Sequence, residues 1–124
     1  MNNYAVRLEA YAKRVEKVRT GYISLLSNMP INRSTKVSRG IARLSDYVNE
    51  AIDYYIKLTL NIERILRNEK SEEDKDWMIR NCFSGNWSDV SNLRSKLEDA
   101  EKLLKTLQSE PTEDDLQDDE YYNR

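Results

Sequence analysis

Between Thr35 and Asn68 the chain reads TKVSRGIARLSDYVNEAIDYYIKLTLNIERILRN. Within it Val37, Ile41, Leu44, Val48, Ala51, Tyr55, Leu58, Ile62 and Ile65 recur at alternating steps of four and three. That period is helical and places all nine on one stripe, so the stretch predicts a single long helix, with Ser34 or Thr35 as its N-cap and its end near Asn68. A second stripe, Ile52, Ile56 and Leu60, makes its middle apolar on more than one side. A helix of that kind is central, touched from several directions, and the second stripe is a candidate oligomer interface.

Upstream, Tyr4, Leu8, Tyr11, Val15, Val18, Tyr22 and Leu25 keep the same spacing and predict a helix from about Asn3 to Ser27. Pro30 ends it, because proline lacks the amide proton that a continuing helix needs. Downstream, Ser71-Glu72-Glu73-Asp74 resembles a capping box with acids where the helix dipole favours them, predicting a short helix over 72–83 that stops at Ser84-Gly85-Asn86. A last helix, capped by Ser88, is expected over about 89–109, where Val90, Leu93, Leu97, Ala100, Leu104 and Leu107 form a leucine-rich stripe.

At 1.5 Å per residue the long helix spans ~51 Å, and the two short ones together ~50 Å. The expected fold is therefore all-α: an antiparallel three-helix bundle with a long central helix and a third rod broken at Gly85, four helices in total. The first helix, at ~38 Å, leaves one end of the long helix less covered. The bundle is assigned to residues 1–109. From 110 the pattern vanishes, and seven acids between Glu110 and Glu120 repel one another. Residues 110–124 are expected to be a disordered acidic tail with Leu116, Tyr121 and Tyr122 as anchors when bound.

Composition excludes several classes of activity. There is no histidine, which removes the commonest general base, the usual triads and most transition-metal sites. Cys82 is the only cysteine, so neither an intrachain disulfide nor a cysteine-based zinc site can form, and it is expected to act as a small buried hydrophobe. Gly21, Gly40 and Gly85 stand alone and make no phosphate-binding loop. Asp46, Glu50 and Asp53 share one helix face, expected opposite the apolar stripe, and read as a solvated carboxylate row. No catalytic residue, metal or cofactor is expected. No run approaches the ~18 apolar residues of a membrane span and no signal pattern opens the chain, so a cytoplasmic, non-membrane protein is expected.

Charge is unevenly distributed. Residues 1–70 hold 13 Lys/Arg against 7 Asp/Glu, a net +6, and residues 71–124 hold 7 against 15, a net −8. Arg33, Lys36, Arg39 and Arg43 fall at the start of the long helix, and Arg19 returns to the same end if the first helix is antiparallel. With the hydroxyls and amides of Asn32–Thr35 they form a candidate site for an anion: nucleic-acid phosphate, an acidic partner protein, or the chain's own tail. The ordinary alternative is a solvated basic surface. Trp77, Met78, Phe83 and Trp87 cluster at the break in the third rod, either plugging the end of the bundle or forming a hot spot for a partner. The tyrosines on the stripes, Tyr4, Tyr11, Tyr22 and Tyr55, read as core. Together these features point to a non-catalytic protein-interaction module, an adaptor or an inhibitor or regulator of a larger complex, with a homodimer expected. The alternative is a binder of nucleic-acid backbone at the basic pole, masked by the tail.

Overall fold

A computed structural model describes residues 4–29, 34–68, 71–84 and 88–109 of the 124-residue chain. The described residues are all-α, with four helices: α1 (Tyr4–Asn28), α2 (Thr35–Asn68), α3 (Glu72–Cys82) and α4 (Ser88–Gln108). Each lies within a residue or two of its predicted span, which is the ordinary uncertainty of a helix end.

The helix starts follow from local hydrogen bonding. Ser34 caps α2: its Oγ accepts from the amide of Val37 at 3.2 Å, and its carbonyl accepts from Ser38 N at 3.0 Å. Ser71 has extended backbone and its Oγ accepts from the amide of Asp74 at 3.0 Å, so the direct limb of the expected capping box is in place. Glu72, Glu73 and Asp74 add negative charge to the first turn of α3. The last helix was expected to be capped by Ser88, but it begins at that residue.

One core runs through the molecule. On α2, eight of the nine stripe residues are buried and Tyr55 is half-buried against them. All six stripe positions of α4 are buried, Leu93, Leu97 and Ala100 completely. α1 contributes less: Val15, Val18 and Leu25 are buried, while Tyr4, Leu8, Tyr11 and Tyr22 pack half-buried against the core. For the three tyrosines the hydroxyl accounts for this, since a phenol packs its ring while keeping its polar tip near water.

Specific contacts fix how the helices run. Along α2 and α4 they run in opposite senses: Leu107 lies over Gly40, Lys96 pairs with Glu50, and Asn61 donates to Asp89. Along α1 and α4 they rise together: Arg14 binds Glu101, and Leu104 lies over Gly21. Two glycines permit this closeness. A methyl on Gly21 would meet Leu104 Cδ2 at 2.5 Å, and one on Gly40 would meet Leu107 Cδ2 at 3.1 Å. α4 thus covers α2 from Gly40 to Asn61, and α3 lies against the remaining turns of α2 up to Asn68.

Two ion pairs between helices reinforce the arrangement. Arg14 donates from Nε and Nη2 to the two carboxylate oxygens of Glu101 at 3.0 and 2.8 Å, a two-pronged geometry that holds the α1–α4 register. This hydrogen bond raises the Arg14 pKa above its ordinary value. Lys96 Nζ lies 3.2 Å from Glu50 and 5.5 Å from the Tyr47 ring centre, tying α4 to α2.

Candidate functional site

The apolar residues of α3, which packs on the end of α2, divide between core and surface. Ile79 and Cys82 face inward and are essentially inaccessible. Phe83, one residue past the helix, is also buried; its ring stacks on Tyr11 at 6.4 Å between centroids and 7° between planes, with the Arg7 guanidinium 5.6 Å from its centre. Phe83 therefore fastens the start of α1 to the end of α3 and is not available as a surface anchor. Met78 is half-buried against the core. Trp77, two positions before Ile79, points away from the core and is 61% exposed. Trp87 lies outside the described residues.

Trp77 forms one wall of a cleft of about 350 Å³ between α2 and α3. Ile65, Met78 and Cys82 give it an apolar floor, and Asn61, Arg64, Asn68 and Asn81 add amides and a cation. Arg64 Nη2 donates to Asn61 Oδ1 at 2.9 Å, and Asn61 Nδ2 donates to Asp89 Oδ2 at 3.3 Å, so one edge of the cleft is a fixed polar chain. The sequence reading located Trp77 and Met78 but missed these polar partners. Their only signal was the spacing of Asn61, Arg64 and Asn68, three and four apart along one edge of α2.

Burial pushes the Cys82 thiol above its ordinary pKa, against a smaller opposing effect of Arg64, which keeps it protonated and a poor nucleophile at neutral pH. Among the described residues no group of three or more His, Cys, Asp or Glu could hold a metal ion. The carboxylate row of α2 is engaged in part: Glu50 pairs with Lys96 on the α4 flank instead of facing open solvent opposite the stripe, and Asp53 lies 3.1 Å from Lys57 Nζ.

The basic pole is assembled from α1 and α2. Gly21 and Gly40 touch leucines one turn apart on α4, which brings Arg19 to the end of the molecule where Lys36, Arg39 and Arg43 lie. Arg39 and Arg43 are exposed and Lys36 is partly buried, and all three have interaction partners. Arg19 is half-exposed and lies 3.4 Å from Glu16 on its own helix. Arg33 falls outside the described residues. The first turn of α2 carries no acid.

The second stripe of α2 divides as well. Ile52 packs partly buried against the core, whereas Ile56 and Leu60 are 47% and 56% exposed. The expectation of contact from several sides therefore holds within the chain for Ile52 alone. The proposed tail anchors Leu116, Tyr121 and Tyr122 lie outside the described residues. No described helix is long and apolar enough to cross a membrane. Compared with known proteins, the chain matches no family model, no curated protein and no solved structure.

Proposed function

We propose that this chain is a non-catalytic protein-interaction module of the cytoplasm, an adaptor or an inhibitor or regulator of a larger complex. In this reading the helices form three antiparallel rods, the third broken between α3 and α4, that hold the α2–α3 cleft rigidly. The observation that supports it best is Trp77. A single exposed apolar residue carries little meaning, but this indole stands beside an apolar floor with a polar edge, the composition of an interface anchor. At 61% exposure, burying the ring against a partner would contribute on the order of 3–4 kcal/mol gross.

The test is affinity capture with full-length protein and Trp77→Ala. Replacing so exposed a side chain should leave the fold intact and weaken the captured complex by tenfold or more. Identical binding by both proteins would remove the cleft from the proposal.

A second reading is favoured by charge: from Lys17 to Ser45 there is no Asp or Glu. A basic end of this kind suits nucleic-acid backbone. Five phosphate contacts through Arg19, Arg33, Lys36, Arg39 and Arg43 would give a log–log salt slope of about −4.5 on duplex DNA, and each cation removed would lower it by roughly one. The absence of any complex with a mixed-sequence duplex at low salt would eliminate this reading. In either case Ile56 and Leu60 are the residues a second copy would cover, and light scattering across a concentration series reads that association directly.

A further inference from the structure

We propose that the basic end of the helices is the docking site of the chain's own acidic segment, residues 110–124. This inference stands apart from whatever the α2–α3 cleft binds.

The first support is spatial segregation of charge. The 29 residues from Lys17 to Ser45 contain six Lys/Arg and no Asp/Glu. After Glu101, α4 carries Lys102 and Lys105 and no further acid up to Ser109. The leucine contacts to Gly21 and Gly40 bring these two stretches to the same end, so three helices contribute cations to one pole. The first turn of α2, whose backbone amides carry partial positive charge, has no acid of its own to offset it.

The second support is where the described chain ends. Leu107 lies over Gly40, only five residues from the first residue of α2, a distance of ~7.5 Å along the helix axis. The acids begin at Glu110, and the eleven residues to Glu120 could span up to ~36–40 Å, so the whole pole lies within reach. A short tether gives an effective concentration in the millimolar range. Individually weak contacts between exposed charges then suffice when several form together.

A third feature supplies an apolar foothold. A shallow groove of about 590 Å³ lies between α1 and α4, with Leu104 packed on Gly21 at its base, Lys13 and Lys17 on its rim and Gln108 at the end where the acidic segment departs. Glu16, on the same rim, lies near Arg19. The groove offers a place for one of the apolar side chains, Leu116, Tyr121 or Tyr122, that interrupt the acids. An anionic partner of the pole would then have to displace the segment before binding.

The test uses the full chain with Asn123→Cys carrying a nitroxide; Cys82 is buried and its thiol stays protonated, so the label goes to the new site. At 50 mM NaCl, amide signals of residues 17–24 and 35–43 should broaden while those of α3 do not. The broadening should disappear at 1 M NaCl, where screening shortens to ~3 Å. It should also disappear when Glu110, Glu113, Asp114, Asp115, Asp118, Asp119 and Glu120 are all changed to their amides. Three outcomes would overturn the proposal: broadening that survives both treatments, broadening centred on α3, or broadening seen only when labelled chains are mixed with unlabelled isotope-enriched ones, which would mean docking between copies.

Discussion

A methyl group on Gly21 would crowd Leu104 more severely than one on Gly40 would crowd Leu107, and the two substitutions should therefore differ in effect. Alanine gains about 0.8–1 kcal/mol over glycine in a helix interior, whereas overpacking a core costs ~1–3 kcal/mol. Gly21→Ala is expected to destabilise by about 1 kcal/mol net, and Gly40→Ala to be neutral or slightly stabilising, as read from urea midpoints. Ionisation gives a second residue-scale prediction. Lys96 and Arg14 have raised pKa values, chiefly through hydrogen bonds to Glu50 and Glu101, and burial raises that of the Cys82 thiol. A group whose pKa is raised on folding contributes its stability below its unfolded value and loses it as pH climbs. The lowest of the three unfolded values is the thiol's, ~8.5. With no histidine to titrate, the melting temperature should be flat from about pH 6 to 8 and fall above about 9. Cys82→Ala should move that fall toward the lysine range, near 10.4.

Among the elements, α3 depends most on its ends. It has eleven residues, too few for a stable isolated helix. Ser71→Ala removes the hydroxyl that accepts from Asp74 N and should cost ~1 kcal/mol. The loss should appear first as faster amide exchange across Glu72–Cys82. Element by element, the helices were legible because nine, seven and six apolar residues kept one period with no glycine or proline interrupting the stripes. What was not legible was which side of α3 would be covered. Trp77, Met78 and Phe83 look alike as apolar letters, and only the docking of α3 on the last turns of α2 separates them: Phe83 meets Tyr11, a residue 72 positions away, while Trp77 meets the cleft. The same limit hid Asn61 and Asn81, polar residues that acquire meaning only when two helices face each other.

At the scale of the molecule, charge and packing follow different plans. The core is continuous, with residues of all four helices, so unfolding should be a single cooperative step. The charges are polarised toward one end, which the sequence showed as a contrast between its two halves and the fold converts into a pole. Reading that pole required knowing that α4 returns to Gly40, a fact no local pattern contains. The helices also share the core unequally. α2 and α4 bury largely aliphatic stripes against each other, with half-buried Tyr55 the one exception on α2, whereas α1 lies on them through half-buried tyrosines and three buried aliphatic residues. Native-state hydrogen exchange should therefore rank α1 below the α2–α4 pair in opening free energy; equal protection of all three would contradict this.

That ranking bears on whether copies of the chain trade a helix. When α1 swings out, it uncovers the leucine side of α4, a surface shaped for a helix bearing tyrosines at alternating steps of four and three. Exchange of that helix between copies is the expected outcome at high concentration: size exclusion after concentrating the protein should show a dimer that returns only slowly to monomer on dilution, and a monomer at every concentration would contradict it.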